Sequence, residues 1–130
     1  MTIALTCIPV ALALVYATKV PLSIAMGKEP ERYDNKNPRV QQAKLAGWGQ
    51  RAHAAHLNGF EAFAPFAAGV LVAHVTGANS KWATILAVAF VVSRAIYPVL
   101  YMANLDKARS VVWAAGLAST FGLLLLPYFS

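Results

Sequence analysis

The sequence predicts an all-α integral membrane protein, a single domain over residues 1–130 folded as a four-helix bundle of up-down topology. Three observations carry that expectation. Hydrophobic residues fill 58% of the 130 positions and charged residues only 12%, about half the ~25% of an ordinary soluble domain. Mean hydropathy is +0.54. The charges are also bunched, so that they cut the chain into four long apolar stretches. Too few charges remain to clothe a water-soluble surface, and a chain this apolar is not disordered. At about 20 apolar residues per crossing, the length holds four crossings and no more. The 11 Lys and Arg against 5 Asp and Glu give a net charge of +6. A nucleic-acid binder would gather such cations into a solvated patch. Here most of them sit between apolar stretches, so no nucleic acid is expected as a partner. The single cysteine, Cys7, excludes an internal disulfide and a Cys-based metal site.

The first span covers about residues 2–26 and is interrupted only by Lys19. A secretory signal would begin with basic residues before its apolar run. None occurs here, so a retained helix is expected, and a membrane helix tolerates Pro9 and Pro21. Residues 27–50 form an aqueous loop with five basic and three acidic residues. Pro30, Asn35, Asn37 and Pro38 mark its turns, and a helix is expected near Val40. The second span covers about 52–75. Arg51, His53, His56, Asn58 and Glu61 crowd its beginning, and nothing is charged from Ala62 onward. A polar turn at 76–80 leads to the third span, about 81–102, which contains Arg94. Residues 104–107 make a second short loop, and the fourth span, 110–130, has no charge. Such short connections make spans two, three and four antiparallel neighbours.

Orientation follows from the cations. Lys28, Arg32, Lys36, Arg39, Lys44 and Arg51 precede span two, and Lys107 and Arg109 precede span four, on the same side. Only Lys81 lies on the other. The basic loops are therefore expected in the cytoplasm and both termini outside. Trp82 and Tyr128 fit an outer aromatic belt and Trp48 the inner boundary.

Glu61 and Arg94 are the informative residues, because an ionised group inside a span is costly and usually paired or functional. Arg94 lies about 18 Å from Trp82 and Glu61 about 24 Å from Gly77 at 1.5 Å per residue. Both fall in the cytoplasmic half, either as a structural ion pair or as part of a polar pocket. Their neighbours favour the pocket. Arg51, Asn58 and Glu61 share one stripe of a helix, with His53 almost opposite and His56 well off it. Arg94, Tyr97 and Tyr101 at i, i+3 and i+7 share another face. Arg109 and Ser110 open span four, where free backbone N–H groups favour an anion. Such a set suits a small, multiply charged ligand. Arginines hold carboxylates, Glu61 accepts from an ammonium, and an Arg beside a helix start favours a thiolate. Cys7 lies near the outer end, so any reacting sulfur would come from the ligand. No metal site is expected, since His53 and His56 lack a carboxylate on their face.

The run Arg51-Ala52-His53-Ala54-Ala55-His56-Leu57-Asn58-Gly59-Phe60-Glu61, followed by Pro65-Phe66, resembles the second-helix signature of the MAPEG family, the membrane-associated proteins in eicosanoid and glutathione metabolism. That signature is an Arg, then Ala-His-x-Asn-x-x-Glu, then Pro-Phe. Arg94 through Tyr101, followed by Arg109-Ser110, is similar to its third- and fourth-helix pattern. The resemblance implies a homotrimer that binds glutathione between subunits near the cytoplasmic face. Arg51, His56, Asn58, Glu61, Arg94, Tyr97 and Tyr101 would hold the glutathione, and Arg109 would activate its thiol. Ala54 stands where many glutathione-using members carry a basic residue, and Ala62 where some carry a tyrosine. The short chain is most similar to bacterial members, which implies an inner-membrane location. Two functions follow as expectations. One is a glutathione-dependent transferase or peroxidase acting on lipophilic electrophiles that enter from the bilayer. The alternative is a non-catalytic protein of the same fold that binds lipid or a partner.

Overall fold

The computed structural model describes residues 1–130, and every regular element is helical. Helix α1 (Ile3–Ala17) opens on Thr2, whose Oγ1 accepts from Leu5 N at 3.2 Å. The chain breaks at Thr18 and resumes as α2 (Lys19–Gly27). Pro21 explains the break: it has no N–H for the Ala17 carbonyl, and its ring crowds that oxygen. The two pieces together still form one apolar segment, Ile3–Gly27.

The loop that follows is tied down. Its helix α3 (Pro38–Lys44) carries Gln41 inward. Gln41 Nε2 donates to the Arg32 carbonyl at 2.6 Å, and its Oε1 accepts from Asp34 N at 3.0 Å. Asp34 Oδ1 in turn accepts from Lys36 N and Asn37 N, both at 3.0 Å. Leu45 closes the loop onto Leu22 and Met26.

Helix α4 (Gly47–Val75) has 29 residues, roughly 44 Å of helix against a hydrocarbon core of about 30 Å. A turn with Gly77 at φ +69° leads into α5 (Ser80–Met102), capped by Asn79 Oδ1 accepting from Lys81 N and Trp82 N. Helix α6 (Asp106–Leu125) begins four residues before the expected start of span four, and a 3-10 turn (Leu126–Tyr128) ends it. Asp106 in its first turn favours that start, since an acidic side chain complements the positive helix N-terminus.

Ile3–Gly27, Ser80–Met102 and Asp106–Tyr128 are long and apolar enough to cross a membrane, as an integral membrane protein requires. Helix α4 has the length, but the polar residues of its first half lower its mean hydropathy. Helices α4, α5 and α6 pack on one another, α1 lies against α4 and α5, and α2 against α4. Their shared core contains Cys7, Ala11, Val70, Ala87 and Leu123 around Phe66 and Phe90, whose rings stack at 3.9 Å. Small residues let the backbones approach, as between helices in lipid. A Cβ on Gly69 would stand 3.0 Å from Leu123 Cβ and 3.3 Å from the Thr120 carbonyl. One on Gly116 would stand 2.7 Å from Ser93 Oγ.

Candidate functional site: a polar cavity and a guanidinium–tyrosine ladder

The packing of α4, α5 and α6 leaves a cavity of about 170 Å³ whose lining includes Asn58, Glu61, Pro65, Arg94, Trp113 and Thr120. Asn58 and Glu61 stand one turn apart on α4, and Asn58 Nδ2 donates to Glu61 Oε2 at 3.2 Å. The other end of the amide, Asn58 Oδ1, is buried and has no partner. Leaving such an acceptor unpaired costs about 1–3 kcal/mol, so it is open to a hydrogen-bond donor from outside the chain. Arg94 enters from α5 and is only 8% exposed. Glu61 faces outward and is exposed in a single chain.

The prolines bear on this site. Pro65 lies four residues after Glu61, and Pro98 four after Arg94. Neither proline has an N–H, so the carbonyls of Glu61 and Arg94 lose their donors within the helix. Both charged residues therefore sit where the backbone ladder is already open.

A second cavity of about 240 Å³ adjoins the first and is lined by Tyr97, Tyr101, Arg109, Ser110 and Trp113. Trp113 belongs to both walls and is 44% exposed. The arginines are held on aromatic faces. The Arg94 guanidinium carbon lies 4.3 Å from the centre of the Tyr97 ring, and that of Arg109 lies 4.3 Å from the centre of Tyr101. The two tyrosines meet edge to face at 5.7 Å. The result is a ladder, Arg94–Tyr97–Tyr101–Arg109, that spans α5 and α6. A ring face attracts a cation without neutralising it, so both guanidinium groups keep the charge and donors with which to bind an anion.

Arg109 differs from its sequence-based position. It was expected at the start of a helix, but α6 begins at Asp106, and Arg109 N is already bonded to the Leu105 carbonyl at 3.0 Å. Its effect on an anion comes from the guanidinium rather than from free backbone N–H groups.

Two of the expected residues stand outside these cavities in a single chain. Arg51 Nε donates to the Met102 carbonyl at 3.2 Å. It ties the start of α4 to the end of α5, where helix carbonyls lack internal partners. His56 points to the far side of α4, its Nδ1 2.7 Å from Thr18 Oγ1. Trp113 was not singled out from the sequence, although it lies at i+4 from Arg109 and so shares its face.

Searches among curated proteins and among solved structures return no match. A family model does match, over residues 3–129. That range takes in every helix from α1 to the final 3-10 turn, so the chain belongs to the MAPEG family.

Proposed function

We propose that the protein is a membrane-bound, glutathione-dependent transferase or peroxidase for lipophilic electrophiles. In this reading four crossings form a bundle, three copies assemble, and the ligand lies between subunits near the cytoplasmic face. The observation that carries it is the pairing of an unpartnered Asn58 Oδ1 and Glu61 with Arg94 and Arg109 around adjoining cavities. The donor set fits glutathione, which has two carboxylates, an ammonium, amide N–H groups and a thiol. Arg94 suits a carboxylate, Glu61 suits the ammonium, and Asn58 Oδ1 suits an N–H. When bound, glutathione supplies the sulfur nucleophile that the buried Cys7 is not placed to provide. Arg109 stabilises negative charge at a sulfur beside it, and Tyr101 holds that guanidinium in place. Tyr97 does the same for Arg94. Exposed Trp113 and Leu117 give the cavity an apolar rim through which a lipophilic molecule can approach from the bilayer.

Glu61 supports the assembly. A carboxylate on the outside of a span costs several kcal/mol against lipid, and a second copy would cover it. Arg51 serves in this reading as the lock between α4 and α5. The test is turnover by the purified protein of glutathione with a chromogenic aryl halide. Saturable, protein-dependent conjugation is expected. A rate equal to that without protein, together with no reduction of a lipid hydroperoxide, would exclude the activity.

A further inference from the structure

Helix α5 carries most of the ladder, and Pro98 divides it. Arg94 and Tyr97 precede the proline, and Tyr101 follows it. Pro98 leaves the Arg94 carbonyl without its helical donor, and its ring crowds that oxygen. Bending of α5 is therefore easiest at this turn. The residues beyond it are bonded mainly to one another. Ala103 N donates to the Val99 carbonyl, Asn104 N to that of Tyr101 and Leu105 N to that of Leu100, each at 3.0 Å. Arg109 N donates to the Leu105 carbonyl, also at 3.0 Å, which joins the first turn of α6 to the same unit. The Arg109 guanidinium covers the face of Tyr101.

Residues 99–109 thus form one body: the end of α5, the turn and the start of α6. A single side-chain hydrogen bond ties that body to another element, from Arg51 Nε on α4 to the Met102 carbonyl at 3.2 Å. The other side of α5 gives the body room. Helix α1 packs on both α4 and α5, but after the break at Thr18, α2 packs on α4. That divergence leaves a gap of about 240 Å³, with Ala17 and Pro21 on one wall and Ala95, Pro98 and Met102 on the other. Both walls belong to the same chain. Two proline-interrupted turns so face each other across the gap, and the helix end beside it hangs on one side-chain bond.

We propose that residues 99–109 are a latch on the polar site, hinged at Pro98 and fastened by Arg51. In the closed form seen here, Tyr101 meets Tyr97 edge to face at 5.7 Å, and Arg94 and Arg109 stand at the two ends of one ladder. On release, Met102 moves into the gap beside Pro21, and Tyr101 and Arg109 part from Tyr97 and Arg94. The cavity lined by Tyr97, Tyr101 and Arg109 opens and closes with that movement. Local opening of this kind draws on the least stable part of a fold, and a hinge needs only a few residues to absorb it. The latch is a property of the chain and stands whatever the cavity binds.

The test is hydrogen–deuterium exchange of the full-length protein in neutral detergent, read by mass spectrometry with no ligand added. Residues 83–93, on α5 before the hinge, are the internal reference. Peptides covering 99–109 are expected to exchange faster than that reference in the wild type. Arg51→Gln should speed them about tenfold further, the worth of a hydrogen bond to a charged group, and leave 83–93 unchanged. Pro98→Ala returns an N–H to the Arg94 carbonyl, so it should slow 99–109 and blunt the effect of Arg51→Gln. Ala17→Leu, which narrows the gap, should slow 99–109 as well. The same exchange over 99–109 in wild type and Arg51→Gln would overturn the fastening. An equal rise over 83–93 would overturn the latch in favour of a bundle loosened as a whole. An undiminished effect of Arg51→Gln in the Pro98→Ala background would overturn the hinge, and no slowing in Ala17→Leu would overturn the gap as the space the latch enters. If Arg51→Gln does not assemble like the wild type, Pro98→Ala decides alone, and unchanged exchange over 99–109 in it overturns the latch.

Discussion

Arg109 stands on α6 with its guanidinium over Tyr101, in a cavity that opens past Trp113. If it stabilises a developing thiolate, its loss should appear in kcat more than in ligand affinity. Arg109→Ala is expected to lower kcat by about 10²–10³-fold, the scale of removing one charge-stabilising donor, as steady-state kinetics would record. Glutathione affinity should change by only a few fold. Tyr101→Phe keeps the ring face and should cost little, whereas Tyr101→Ala should resemble a mild Arg109 defect. Much of this ladder was legible in the sequence, because i, i+3 and i+7 place Arg94, Tyr97 and Tyr101 on one face whatever the packing. Arg51 was not. A helical wheel gives the direction of its side chain but not the carbonyl it meets, and Met102 comes within reach only through the packing of α4 on α5. The helical wheel puts His56 off the main stripe, and its partner Thr18 depends on where α1 breaks.

At the scale of elements, two contacts set how closely the helices and the loop lie. Gly69 lets α4 approach α6, with Leu123 Cβ 3.0 Å from where a Cβ would stand. Gly69→Val should therefore destabilise the fold by about 1–3 kcal/mol through overpacking, as measured by unfolding in mixed detergent. Gln41 clamps the basic loop through Arg32 and Asp34. Gln41→Ala should remove both bonds at a cost of about 0.5–1.5 kcal/mol each and speed limited proteolysis between Lys28 and Lys44. The apolar stretches were plain from charge spacing, and so was a helix near Val40. The early start of α6 was hidden because Asp106 and Lys107 read as loop by polarity. A polar, acidic first turn is also how a helix begins. The break at Thr18 was hidden for a related reason, since Pro21 in an apolar run predicts either a tolerated kink or a true interruption.

The whole molecule combines a mean hydropathy of +0.54 with a charge of +6, and the cations gather where α2, α3 and the starts of α4 and α6 lie. In the proposed orientation that end faces the cytoplasm. In a Cys7→Ala background, Lys36→Cys should react with an impermeant maleimide only after the membrane is opened, and Ser130→Cys should react from outside without opening. In the proposed assembly the protein mass in detergent is three times 13.9 kDa, which light scattering would read directly. The central claim is that Asn58, Glu61 and Arg94 form a glutathione site. Calorimetric titration of glutathione into the purified wild type, Glu61→Gln, Arg94→Gln and Lys81→Gln proteins tests it most directly. Saturable binding is expected for the wild type, weakened about tenfold or more in Glu61→Gln and Arg94→Gln, the worth of a hydrogen bond to a charged group, and unchanged in Lys81→Gln, at the far end of the spans. No binding heat in the wild type, or equal affinities across all four proteins, would contradict it.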